Sequence, residues 1–186
     1  KGRETVTIPG DFSSAAFLIL ATLLSKNSQI MIKDVGLNPT RTGFLKILKM
    51  MGGDIRTTID PNSSFEIQGS IIVKSSVLQG INIPDNLISL SIDELPLVCL
   101  AAACAHGTTT IRNALELRFK ESDRIAAMVK LLSALSIEVK ELNDGLIING
   151  GVITGGEIDS FGDHRIAMTA LIASACSKSE ILINNT

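Results

Sequence analysis

The stretch IDELPLVCLAAACAHGTTTI, residues 92–111, opens on two acids and runs through an unbroken apolar segment, 95–105. It then passes a short polar turn into β-branched residues. A helix that is apolar on every side has to be buried on every side. Two other stretches have the same order of acid, apolar helix, polar turn and β-rich strand: GDFSSAAFLILATLLSKNSQIMI (10–32) and GDHRIAMTALIASACSKSEILI (162–183). The pattern predicts buried helices over 14–25, 95–105 and 165–177.

A second self-similarity links KILKMMGGDI (46–55) with KLLSALSIEV (130–139), each a lysine, aliphatic pairs and then an acid before Ile or Val. These belong to helices expected over 43–51 and 124–135, closer to amphipathic, with Lys46, Lys49 and Lys130 for an outer face. FEIQ (65–68), SIIVK (70–74), TTTIRN (108–113) and GLIING (145–150) read as short strands bounded by Gly, Asn or Pro, and KGRETVTIPG enters another near the start. The chain is therefore two and a half copies of a β-α-β-α-β-β unit, over about 5–74, 76–150 and 152–186, the last incomplete. An ordinary parallel sheet with outer helices would make the strands the apolar element. Here the helices are, so the expected α/β architecture puts helices inside and short sheets outside. Residues 1–186 form one domain, expected to be cut from a longer polypeptide because there is no initiator Met and the chain stops just after a strand.

Composition narrows function. Seventeen basic against nineteen acidic residues leave a net charge of −2, no electrostatic reason to expect nucleic acid or a membrane surface as partner. Aromatic residues make up 3%, with no Trp or Tyr, too few for base-stacking platforms. Cys99, Cys104 and Cys176 sit in apolar runs without metal-site spacing and read as small buried hydrophobes in a reducing cytoplasm. The apolar runs fall short of the ~20 residues a bilayer span needs.

Charge placement is more informative. Asp11, Asp93 and Asp163 each precede a buried helix, as N-caps do. At Asp93 the neighbouring Glu94 is equally available as cap, and Pro96 suits a first turn, so one carboxylate is left for proton transfer. Basic residues at helix starts run against the dipole by roughly 0.3–1 kcal/mol. Lys120 and Arg124, His164 and Arg165, and Arg41 all lie at such starts. A bound anion reverses the sign of that effect, which points to an anion-binding face with Glu121 as a general acid or base within it.

PGDFSSAAF, GLNPTRTG, SIDELP, LRFKESDRIAAM and FGDHRIAM, in this order along essentially the whole chain, resemble the 5-enolpyruvylshikimate-3-phosphate synthase family. The resemblance implies the carboxy-terminal domain of a two-domain enzyme, an inside-out α/β barrel of β-α-β-α-β-β units with substrates in the interdomain cleft. It implies transfer of the enolpyruvyl group from phosphoenolpyruvate to the 5-hydroxyl of shikimate 3-phosphate, with release of phosphate and no metal or organic cofactor. Carried over residue by residue, Asp93 contacts shikimate 3-phosphate and accepts a proton, and Lys120 binds shikimate 3-phosphate. Glu121 transfers a proton at C3, Arg124 and Arg165 hold phosphoenolpyruvate, and His164 lines the site. Arg41 matches an arginine of one branch of the family and carries no role. The amino-terminal domain of the same polypeptide, a partner the resemblance requires, is absent, so the chain alone is expected to be inactive. The parent is expected to be a cytoplasmic monomer. The related UDP-N-acetylglucosamine enolpyruvyl transferase shares the architecture, but DELP, KESDR and GDHRIAM favour the shikimate enzyme. A non-catalytic anion-binding domain would do better without Asp93 and Glu121.

Overall fold

The computed structural model describes residues 8–63 and 66–186. The first unit holds α1 (Phe12–Leu24), β1 (Gln29–Gly36), α2 (Gly43–Met50), β2 (Asp54–Ile59) and β3 (Gln68–Lys74). In the second, a helical turn α3 (Asp85–Ile88) continues through a 3-10 segment (Ser89–Glu94) into α4 (Leu95–Ala103). It is followed by β4 (Thr108–Ile111), a 3-10 segment (Leu115–Phe119), α5 (Arg124–Ala134), β5 (Val139–Leu142) and β6 (Gly145–Asn149). The third has β7 (Gly156–Asp159), α6 (His164–Ser174) and β8 (Ile181–Asn184). The strand expected near the start falls largely on residues 1–7, outside the described residues, as does Phe65; Glu66 and Ile67 precede β3 rather than belonging to it.

The repeat is visible in the sheets. β1-β3-β2 and β4-β6-β5 have the same order and are antiparallel throughout. Ahead of each helix a segment lies parallel to the strand that follows it: Gly10 bridges Val35, Asn82 bridges Thr110, and β7 pairs with β8 from Gly156 opposite Ile181. In β3, Ile71 and Val73 alternate inward, so each sheet gives one face to the helices and the other to water.

α4 is the axis of this arrangement. All nine of its residues are buried, and α1, α2, α5 and α6 all pack on it. Pro96 lies in its first turn, where its missing N–H breaks no helical hydrogen bond. The helical run Asp85–Ala103 is, at 19 residues with mean hydropathy 1.5, long and apolar enough to cross a membrane, which the apolar run alone did not suggest. Yet 72% of that window is buried inside the fold, where a core helix belongs. α6 departs from the expectation of burial on every side: Met168 is 40% and Leu171 58% exposed, and Leu18 of α1 is 51% exposed. α2 covers the second unit's helix and α5 the third's, while no described element covers the corresponding flank of α1 and α6.

Cys99 is fully buried, as expected, but Cys104 and Cys176, at the ends of α4 and α6, are only half-buried and interact through their thiols. They line a cavity of about 780 Å³ at the C-terminal ends of the buried helices, with Leu23, Leu78, His106 and Ile153. At the other end α2 starts on Gly43, where a Cβ would come within 2.7 Å of the Leu90 backbone. That close crossing brings the loop carrying Arg41 against Asp93.

Candidate active site

The N-terminal ends of α1, α4 and α6 converge, and their caps separate two kinds of aspartate. Asp11 accepts from the Ser14 amide at 2.7 Å and Asp163 from the Arg165 amide at 2.9 Å, so both cap their helices. Asp93 caps nothing: it lies within the 3-10 segment, one residue before the Glu94 position that opens α4 without a side-chain cap. Its carboxylate faces Arg41 Nη1 at 3.3 Å and Lys120 Nζ at 3.8 Å. The approach to Asp163 needs a tight left-handed turn, with φ of 55° at Phe161 and 69° at Gly162. Glycine adopts this conformation freely.

Two of the cations expected at helix starts lie elsewhere. Arg41 sits in the loop before α2, and Lys120 ends the 3-10 segment Leu115–Phe119, four residues ahead of α5. The tight Gly43 crossing and the 3-10 turn hold them outside the first helical turns, so only Arg124, His164 and Arg165 oppose a dipole. Arg124 does so from the interior. Its side chain is 1% exposed, Nε donates to Asp163 Oδ2 at 2.8 Å, and Nη2 donates to Glu121 Oε2 at 2.6 Å and Asp163 Oδ1 at 3.3 Å. Asp163 also accepts from Ser122 Oγ at 3.0 Å. Burial alone would push Asp163 up, but the Arg124 guanidinium, the Arg165 amide and the Ser122 hydroxyl outweigh it and hold the carboxyl below its ordinary range.

Arg165 reaches across to the second unit, donating from Nη1 to the Asp93 carbonyl at 2.9 Å. Through Asp163 it is tied to Arg124 and Glu121, and through Asp93 to Lys120. The structure thus brings Asp93, Lys120, Glu121, Arg124 and Arg165 into one network. His164 is exposed at the first position of α6 and has no side-chain hydrogen bond among the described residues.

Exposure sorts the carboxylates. Asp163 and Glu94 are 0% and 1% exposed and fix the arginines in place. Glu116, 2.6 Å from Lys120, is 62% exposed, and Glu121 is 55% exposed. The Lys120–Glu116 pair, open to solvent on the carboxylate side, is worth about 0–1 kcal/mol, so an incoming anion can take Lys120 over. Glu94 and Ser13 were not recognised from sequence as site residues. Ser13 follows the cap of α1, where Ser is ordinary, and Glu94 read as a spare cap; only their long-range contacts distinguish them.

Helices inside, sheets outside and a charged face at the helix N-termini define an enolpyruvyl-transferase-like domain. The structure of an enolpyruvyl transferase, NikO from Streptomyces tendae, has this fold, with a TM-score of 0.71 at 20% identity over 97% of this chain and 39% of that one. The EPSP synthase of Acinetobacter baumannii superposes with a TM-score of 0.93 at 39% identity, over 96% of this chain and 42% of that one. The family model for EPSP synthase (3-phosphoshikimate 1-carboxyvinyltransferase) matches residues 1–186, and the chain belongs to that family. Curated relatives named 3-phosphoshikimate 1-carboxyvinyltransferase include those of Legionella pneumophila strain Paris and Geobacter sulfurreducens. The first is 47% identical over 97% of this chain and 42% of its own length, the second 47% over 100% and 43%. The chain therefore spans less than half the length of these relatives.

Proposed function

We propose that this chain forms one wall of the site of an enzyme that transfers the enolpyruvyl group of phosphoenolpyruvate to the 5-hydroxyl of shikimate 3-phosphate. The route leads to chorismate and the aromatic amino acids. The observation that carries the reading is the uncapped Asp93 beside Lys120, with Glu121 held on Arg124 in the same network. Cations alone would serve an anion-binding module. Two carboxylates beside them suit proton transfer in both directions.

In the addition step the 5-hydroxyl oxygen attacks C2 of phosphoenolpyruvate, its proton passes to Asp93, and Glu121 delivers a proton to C3. Elimination reverses the C3 transfer: a proton leaves C3, the double bond re-forms and the C2–O bond to phosphate breaks. Lys120 binds the phosphate of shikimate 3-phosphate, a task suited to a point charge. Arg165 and Arg124 hold phosphoenolpyruvate; since Nε and Nη2 of Arg124 serve Asp163 and Glu121, its Nη1 is left for substrate. His164 lines the rim. The relatives' greater length supports a second wall, an amino-terminal domain of the same polypeptide. We place that parent in the cytoplasm as a monomer.

A half-site cannot close over its substrates or exclude water, so the 186-residue chain alone turns nothing over. An NMR titration tests the reading. Shikimate 3-phosphate is expected to shift Asp93 and Lys120 saturably, and UDP-N-acetylglucosamine to leave them unmoved. A response to the nucleotide sugar alone would assign the wrong acceptor. In the full-length polypeptide, Asp93→Ala is expected to cut kcat by about 10²–10⁴-fold with a far smaller change in KM. A change confined to KM would instead favour a binding module.

A further inference from the structure

Ser13 sits at the crossing of all three repeat units. Its hydroxyl has one proton and two acceptor sites, and all are used. Oγ donates to Glu94 Oε1 at 2.5 Å and accepts from Arg41 Nη2 at 3.1 Å and Arg165 Nη2 at 3.3 Å. Because guanidinium groups can only donate, the proton has one direction to point, at Glu94. Ser13 is 7% and Glu94 1% exposed, so water does not compete for the bond between them. Glu94 also faces Arg165 Nη1 at 3.5 Å and Arg41 Nη2 at 3.9 Å.

For Arg165 the consequence is directional. Nη1 is engaged by the Asp93 carbonyl and Glu94, and one Nη2 hydrogen by Ser13. Nε–H and the other Nη2 hydrogen have no partner among the described residues. These two form one edge of the planar fork, the edge that receives two oxygens side by side. We propose that Ser13 and Glu94 are positioning residues: they lock Arg165 with its Nε–Nη2 edge presented to the bound anion, joining the start of α1 to the starts of α4 and α6. This rests on the function proposed above, in which that anion is phosphoenolpyruvate. Arg41 shares Ser13, but at 47% exposure it keeps freedom that Arg165, at 16%, lacks. Loss of the lock therefore falls mainly on the Arg165 ligand.

The test uses the full-length polypeptide carrying these residues. Ser13→Ala, which adds no bulk and suits a helix, is expected to raise KM for phosphoenolpyruvate by about tenfold, as loss of a hydrogen bond to charged groups would. KM for shikimate 3-phosphate and kcat should each move by less than about threefold at an unchanged thermal midpoint. Glu94→Gln, whose amide oxygen still accepts from Ser13, should show the same split at smaller size. The proposal is overturned if KM for phosphoenolpyruvate stays within twofold in Ser13→Ala. It is equally overturned if both KM values rise while kcat and the thermal midpoint fall with them, since that is general loosening. An unsubstituted protein that turns over neither substrate would sink the proposed function, not the lock. The lock would then be read from the Arg165 Nε–H NMR signal of the chain, which Ser13→Ala should shift or broaden and which would stay put if Ser13 did not hold it.

Discussion

Arg124 and Asp163 share a burial that neither could tolerate alone. A guanidinium 1% exposed and a carboxylate 0% exposed each lose most of their hydration, and the fork between them, helped by the Ser122 hydroxyl, the Arg165 amide and Glu121, makes up for it. Replacing Asp163 leaves the buried guanidinium with only the half-exposed Glu121 as counter-charge, and replacing Arg124 leaves Asp163 with no cation among the described residues. Asp163→Asn is therefore expected to cost about 3–5 kcal/mol, read as a lower urea midpoint at pH 7. Its pH dependence has a definite sign. The folded Asp163 lies below the ordinary 3.8, so its stabilisation is complete above about pH 4 and is lost as pH falls through the folded value. Urea midpoints of the unsubstituted chain and Asp163→Asn should thus converge on acidification below pH 4; a gap that stays constant would show that the charge is not the cause. Glu94 works in the opposite sense. Burial raises it against the pull of Ser13 and the arginines, so its contribution favours the fold below the ordinary 4.5 and is lost as pH rises through the raised value.

At the scale of elements, most of the architecture was legible, and the reason is physical. An all-round apolar run such as 95–105 has one stable destination, and α4 ends within two residues of the expected boundary. The sheets followed from short β-branched runs. Tertiary placement was less visible, because sequence periodicity does not report which flank of a helix lacks a neighbour or how far a 3-10 turn carries a lysine from the helix it precedes. That is why α6 was expected to be enclosed and Lys120 to sit in a first turn. The cysteines show the same limit: identical apolar contexts in sequence become one buried residue and one facing pair. Burial pushes the Cys99 thiol up to about 12. The contact with Cys176, together with burial, raises Cys104, whereas the same contact lowers Cys176. Native labelling with iodoacetamide, followed by peptide mass spectrometry, should modify Cys176 first and below the pH of an ordinary thiol. Cys99 should react only after unfolding. Early labelling of Cys99 would contradict the burial of α4.

Across the whole molecule, the threefold pattern says which surface differs from the rest. α2 packs on α4, and α5 packs on both α4 and α6, so α4 and α6 are each flanked by the outer helix of the unit before them. The same relation carried round once more would place an outer helix against α1 and α6. There the described residues leave Leu18, Met168 and Leu171 exposed, at 51%, 40% and 58%. Met168 and Leu171, three residues apart, share one face of α6 and leave an apolar stripe along it, and Leu18 is exposed on α1, which packs against α6. Charge does little to keep such stripes apart, since the net charge is only −2. The chain on its own is therefore expected to self-associate with increasing concentration, its sedimentation coefficient rising above that of a monomer. Met168→Lys with Leu171→Lys should hold it monomeric without lowering its urea midpoint, because both positions face water in the monomer. If the chain sediments as a monomer at high concentration, or the double variant associates equally well, the stripe is not the surface responsible. The stripe runs along the flanks of the buried helices, while Asp93, Lys120 and Glu121 gather at their N-terminal ends, so association through it should leave the shikimate 3-phosphate titration unchanged.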